Sequence, residues 1–197
     1  LADQLSIYEV DGPLLASLKP DVILTQTLCE VCAVSDKDVL VALGEEALAG
    51  TRLVSLKPGC LAETWDDIQT VANAVGVPAR GAELVQQLRT RLTALQQRVA
   101  GLTRPRVACI EWLSPLMSAG NWVPELVDAA RGLSVVGEAG KHSPWLTWEA
   151  LAEADPDLLV LMPCGFDLNR TCDEAKILLE EPRWTELRAV QAGRVYA

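Results

Sequence analysis

Apolar positions recur along this chain with two periods, and their alternation divides it into elements. Between about Ala82 and Ala100, Leu84, Leu88, Leu92, Leu95 and Val99 follow one another at spacings of four, four, three and four. Arg89, Arg91, Gln96, Gln97 and Arg98 fall mostly off that stripe, the pattern of a helix with one apolar face. Gly81 and Gly101 bracket it, and about nineteen residues at 1.5 Å each predict a rod of roughly 28 Å.

Shorter runs precede it. Ser6–Val10 reads as a strand, Asp11–Pro13 as a turn and Pro13–Leu18 as a short helix ending before Pro20. Asp21–Gln26 carries Val22, Ile23 and Leu24 without interruption, as in a strand covered on both faces of a parallel sheet. Ser35 is a good N-cap for a helix over Asp36–Leu43. Arg52–Leu56 is a further strand. Leu61–Val75 places Leu61, Trp65, Ile68, Ala72 and Val75 on one helical face before Gly76 and Pro78. Strand and helix alternate, which predicts an α/β lobe.

After the long helix, Arg106–Glu111 reads as a strand, Trp112–Asn121 as a loop, and Trp122–Ala130 as a helix with Pro124 in its first turn. Ser134–Val136 is a brief strand and Gly137–Ser143 a polar stretch. Thr147 caps a helix over Trp148–Ala154, Asp157–Met162 is a second buried strand, and helices over Asn169–Leu179 and Arg183–Val190 lead to a last strand at Val195. Leu18–Gln26 and Ala154–Met162 share one scheme, a short helix, then Pro-Asp, then an apolar strand. The fold expected is therefore α/β, with two similarly built lobes carrying parallel sheets. Residues 1–80 form the first, 102–197 the second, and the helix of 81–101 joins them.

Composition narrows the function classes. Half of the 197 residues are apolar and 22% are charged, which suits a globular chain with a real core. With 17 basic residues against 27 acidic ones, a net charge of −10 and no basic cluster, neither nucleic acid nor an anionic membrane surface is an expected partner. Runs such as Leu158–Pro163 are far too short to span a bilayer. The chain opens at Leu1 and stops at Ala197 within elements, so parts of both lobes are expected outside it.

The phrases Lys19-Pro-Asp-Val-Ile-Leu-Thr-Gln26, Cys29-Glu-Val-Cys-Ala-Val-Ser35, Glu111-Trp112, Ala119-Gly-Asn-Trp-Val-Pro-Glu125 and Pro163-Cys-Gly-Phe166 resemble the cobalamin-binding branch of the ABC-importer substrate-binding proteins whose lobes are joined by one rigid helix. That resemblance implies no enzyme activity and no required cofactor. It implies a monomeric, extracytoplasmic protein that captures a corrinoid such as cobalamin and hands it to an ABC permease, a rigid helix allowing only small closure. It also implies exposed carboxylates, Glu45, Glu46 or Glu149, meeting basic residues of the permease. No signal peptide is visible in these residues, which leaves the compartment open.

Ligands of open α/β sheets sit beyond the carboxyl ends of strands, and in two-lobed proteins between the lobes. That rule selects Thr25–Cys32, Leu56–Gly59, Glu111–Leu116, Ala119–Trp122 and Pro163–Leu168. Trp112, Trp122 and Phe166 there offer flat faces to a corrin or porphyrin, with Gly165 beside Phe166. Glu111, directly after an apolar strand, needs a partner if buried, either a ligand amide or an Arg. Asn121 can both donate and accept. Cys29 and Cys32, with Cys164 on the equivalent loop of the other lobe and Cys172 or His142 as a fourth group, could hold zinc or another thiophilic metal. Buried structural thiols and a redox pair are the other readings of Cys29 and Cys32; Cys60 and Cys109 read as buried thiols. Two alternatives stay open: the same fold binding haem, a siderophore or a thiolate-bound metal, and a cytoplasmic metal- or redox-active protein using Cys29, Cys32 and Cys164. His142, the only histidine, lies in a polar loop, and nothing assembles a nucleophile with a base and an orienting acid.

Overall fold

The computed structural model describes residues 10–28, 34–44 and 50–197, which form two compact units. The first comprises the described residues up to Pro58 together with Ala62–Arg89; the second comprises Gly59–Leu61 and Thr90–Ala197. The predicted strand at Ser6–Val10 lies outside the described residues, except for Val10.

In the first unit, Asp11 accepts the Leu14 N–H and starts α1 (Gly12–Leu18). Lys19 ends it at φ +45 before Pro20. Two strands, β1 (Val22–Gln26) and β2 (Arg52–Leu56), pair in parallel from Val22 opposite Arg52 to Gln26 opposite Leu56. Ile23 and Val54 are buried, but Leu24 stays largely exposed, so β1 is not covered on both faces. Ser35 and Asp38 form a reciprocal cap on α2 (Asp36–Leu43), each satisfying a backbone or hydroxyl donor of the other.

Helices α3 (Leu61–Ala74) and α4 (Pro78–Val99) follow. The long helix thus begins earlier than Ala82 and is 22 residues long, about 33 Å at 1.5 Å per residue. Gly81, expected to bracket it, is buried inside it. The reason is close packing: a Cβ there would lie 2.4 Å from Ala72 Cβ on α3. Proline opens the helix instead, where its missing N–H costs nothing. The Leu stripe is only half-buried at best, and Leu84 and Leu95 are exposed.

The second unit is built on a mixed five-stranded sheet. β3 (Arg106–Leu113) is central, with β6 (Leu158–Leu161) parallel on one side and β7 (Val195–Tyr196) parallel beyond it. On its other side β3 pairs with β5 (Leu133–Ser134) in parallel and with β4 (Leu116–Ser118) antiparallel. The segment Trp112–Asn121 is therefore a hairpin turning at Ser114–Pro115, not a loop. Leu113 and Leu116 pair across it and are both buried, a hydrophobic drive for pairing that a scan for long runs overlooks.

Ala108, Ile110, Leu159 and Leu161 share one buried core with Leu151 of α6 (Trp148–Ala154), Ala189 of α8 (Arg188–Gln191) and Leu178, Trp184 and Leu187 from the turns before α8. Trp148 and Trp184 meet edge to face at 6.4 Å. Val107 and Cys109 face the other way, with Val123 and Val127 of α5 (Val123–Ala129) packed there. Glu125 of α5 accepts the Leu61 N–H at 2.6 Å.

The helix expected over Asn169–Leu179 is α7 (Leu168–Glu174) continued by a 3-10 turn at Ala175–Glu180. The one expected over Arg183–Val190 splits into a 3-10 turn at Pro182–Glu186 and α8. The internal echo extends to the backbone: Asp155, like Lys19, closes its helix at positive φ immediately before a proline.

Candidate ligand-binding site

The carboxyl ends of β3 and β6 bring together most of the site residues expected in the second unit. β6 ends before Pro163, and the Phe166 N–H returns to the Pro163 carbonyl at 3.2 Å with Gly165 at φ +77 between them. A glycine at the third position of such a turn supplies the left-handed conformation that L side chains resist. The turn delivers Phe166 to Trp112, the ring centroids lying 5.5 Å apart and tilted by 58°. Asp167 then caps α7 by accepting the Arg170 N–H. One helical turn past Phe166, the Arg170 guanidinium covers its ring at 3.7 Å from the centroid, a cation–π contact. Neither Arg170 nor its role stood out in the sequence; the i, i+4 spacing from Phe166 was the available signal.

Glu111 has a partner, and it is a serine rather than an arginine. The Ser143 hydroxyl donates to Glu111 Oε2 at 2.9 Å and accepts the buried Gly120 N–H at 3.1 Å. The Glu111 carbonyl accepts the Cys164 N–H at 3.3 Å, so β3 and the Pro163 turn are tied to one another at this end. The Gly137–Ser143 stretch lies directly on the Ala119-Gly120-Asn121 phrase. A Cβ on Gly120 would meet the Lys141 carbonyl at 2.4 Å, and one on Gly137 the Ala119 carbonyl at 2.1 Å. Asn121, at φ +52, exchanges backbone hydrogen bonds with Lys141 and Gly140, and asparagine tolerates that left-handed backbone. Trp122 is half-buried immediately before α5 and, among the described residues, makes no ring contact with Trp112 or Phe166.

Cys29 and Cys32 lie outside the described residues, as do Glu45 and Glu46. Cys164 and Cys172 are exposed, Cys60 is half-buried and Cys109 is buried; burial pushes the Cys109 thiol up to about 11. Among the described residues no three His, Cys, Asp or Glu side chains gather as a metal site. His142 is exposed, with Nδ1 3.0 Å from the Ser143 carbonyl. Glu149, an expected docking carboxylate, sits in the first turn of α6 and pairs with Arg183 at 2.9 Å. Its own backbone and the Arg183 guanidinium hold it below the usual carboxylate range. Among the described residues no helix is long and apolar enough to cross a membrane.

Comparison with known proteins places this arrangement. Solved structures share the fold. An ABC transporter substrate-binding protein from Listeria monocytogenes EGD-e is 18% identical, with 94% of this chain and 70% of that one aligned at a TM-score of 0.72. The periplasmic heme-binding protein BhuT in complex with two hemes is 24% identical, over 95% of this chain and 69% of that one, at 0.70. The periplasmic heme-binding protein RhuT from Roseiflexus sp. RS-1 is 20% identical, over 96% and 70%, at 0.74. No curated protein matches the chain. The family model described as periplasmic binding protein matches residues 9–197. With nearly its whole length matched by that model, and with the same α/β fold, the chain belongs to the periplasmic binding protein family, a family of binding proteins rather than enzymes.

Proposed function

We propose that this protein is the extracytoplasmic ligand-capturing component of an ABC importer and that its cargo is a corrinoid, cobalamin being the model ligand. The observation that carries the reading is the Trp112–Phe166 pair at the carboxyl ends of β3 and β6, flanked by the Glu111–Ser143 hydrogen bond. Tilted aromatic rings give a macrocycle a large apolar contact at little entropic cost. Glu111 offers its carboxylate to amide N–H groups of the kind that fringe a corrin. Asn121, Trp122, Cys164 and Gly165 occupy the neighbouring turns, and Cys29 and Cys32 complete the proposed contact set. Capture is then a matter of shape and a few polar contacts, with no covalent step and no resident cofactor. Delivery is to a permease, the membrane partner of the complex.

The test is a titration of the purified chain with cyanocobalamin, read by tryptophan quenching and calorimetry after bound metal has been assayed. Saturable one-to-one binding at about micromolar affinity or tighter supports the corrinoid reading. Binding of hemin but not cyanocobalamin keeps the importer role and changes the cargo. No binding of either, with about one equivalent of zinc or copper in the protein, moves the site to the thiolates.

A further inference from the structure

Within the first unit, α3 and α4 leave a hollow of about 490 Å³ against the ends of β1 and β2. Its walls are aliphatic, with Leu56, Ile68, Val71, Val75, Val77 and Leu84 lining it. A filled core would cover such side chains, yet Val75 is 51%, Val77 38% and Leu84 44% exposed. Packed interiors leave few voids larger than a water molecule, and this volume falls in the range of about 300–1,000 Å³ usual for small-molecule sites. The junction of the two helices is fixed. The Val77 N–H donates to the Ala72 carbonyl at 2.8 Å and the Gln69 side chain to the Pro78 carbonyl at 3.1 Å, while Gly81 lets α4 come up against Ala72. Walls formed in advance reduce the ordering cost of binding.

One polar atom in this lining has no role in the fold. Asp67 faces the hollow, and its Oδ2 is buried with no hydrogen-bond partner among the described residues. A carboxylate oxygen shielded from water without a donor is costly. Arg80 lines the hollow too but is not among the groups that act on Asp67; burial, then Glu63 and Asp66, raise that carboxyl above its ordinary range. The two neighbouring carboxylates add a field that favours a cation. Arg80 opposes a second positive charge, so a monoamine fits better than a polyamine. Among the described lining residues none is aromatic, and aliphatic walls suit a flexible chain better than a flat ring. Ile68, Val71 and Val75 recur at helical spacing beside Asp67, which sets an apolar track along α3 next to the charge.

We infer that the hollow between α3, α4 and the ends of β1 and β2 is a second binding site, for an aliphatic ammonium ion, with its charge on Asp67 and its alkyl chain along Ile68, Val71 and Val75. The site belongs to the first unit and stands independently of the cargo proposed above.

Butylammonium, hexylammonium and hexan-1-ol are titrated calorimetrically at pH 7 into the wild type, Asp67→Asn and Val71→Trp, with a thermal melt of each. Hexylammonium is expected to bind saturably, one to one, and roughly fifteenfold tighter than butylammonium, at about fourfold for each buried methylene. Hexan-1-ol is expected to bind at least about tenfold more weakly, and Asp67→Asn to bring amine and alcohol within about threefold of one another. Val71→Trp fills the hollow and is expected to remove the binding of both. A wild type with no saturable binding overturns the proposal. Equal affinity for amine and alcohol overturns the ammonium site, as does a preference for the amine that survives in Asp67→Asn. Binding kept in a folded Val71→Trp overturns the location. If Val71→Trp does not melt cooperatively, Asp67→Asn decides alone.

Discussion

Ser143 reaches across 32 residues of chain to hold Glu111: its hydroxyl donates to the carboxylate at 2.9 Å while accepting the Gly120 N–H. One hydroxyl thus completes three elements at once, the end of β3, the turn before α5 and the Gly137–Ser143 stretch.

Ser143→Ala leaves a buried N–H and a half-buried carboxylate without that partner. Unsatisfied groups of this kind cost about 1–3 kcal/mol each. Urea unfolding of Ser143→Ala is expected to show a loss in that range, and Ser143→Thr a smaller one. A midpoint unchanged by Ser143→Ala would show the bond to be energetically idle.

Gly81→Ala sets two effects against each other. Alanine is better than glycine in a helix interior by about 0.8–1 kcal/mol, yet the new Cβ would lie 2.4 Å from Ala72 Cβ. Overpacking costs about 1–3 kcal/mol, so the clash is expected to win and the variant to melt lower. Adding Ala72→Gly removes the clash. If the Gly81→Ala defect shrinks in that background, measured as a double-mutant cycle, the steric account holds.

Asp67 on α3 has one carboxylate oxygen, Oδ2, that is buried with no hydrogen-bond partner among the described residues. Burial, then Glu63 and Asp66, raise its pKa above the ordinary 3.8. A raised carboxyl holds its proton better when folded, so its effect on stability is most favourable below pH 3.8 and fades as pH rises through the folded value. Asp67→Asn is expected to raise the melting temperature at pH 7 and to lose that advantage near pH 3. The comparison is two melts at each pH.

Cys109 behaves as a buried thiol. With its pKa pushed up to about 11, it is protonated at pH 8 and shielded by β-sheet neighbours, whereas Cys164 and Cys172 are exposed. Timed labelling with a chromogenic disulfide at pH 8, followed by peptide mapping, should modify Cys164 and Cys172 at once and Cys109 only after denaturation. The same shift implies that stability declines as pH rises from about 9 towards 11, because the unfolded thiol ionises first.

Much of the fold could be read directly from apolar periodicity and caps. β1, α2, β2 and α6 fall where Val22–Leu24, Ser35, Arg52–Leu56 and Thr147 place them. What escaped depends on contacts between distant residues. Gly81 looked like a stop because a glycine is usually a breaker, and only the approach of Ala72 shows why it sits inside a helix. β4 was read as loop because three residues carry no period, although Leu113 pairing with Leu116 decides the hairpin. In the candidate site, Trp112, Phe166 and Glu111 were legible from their positions after strands. Ser143 was not, since it acquires its place through a partner on another strand.

The turn at Pro163–Phe166 bears on how such a protein diversifies. Gly165 fixes the direction of the backbone at φ +77, and nothing lies within 4 Å of where its Cβ would stand, so the demand on it is conformational and not one of space. In the function proposed above, Phe166 is the side chain that meets the cargo, and it does not set the path of the chain. A lineage drifting towards a new cargo can therefore exchange the ring at 166 by single substitutions while 165 remains a glycine, which separates the inherited scaffold from the adaptable surface within two adjacent codons.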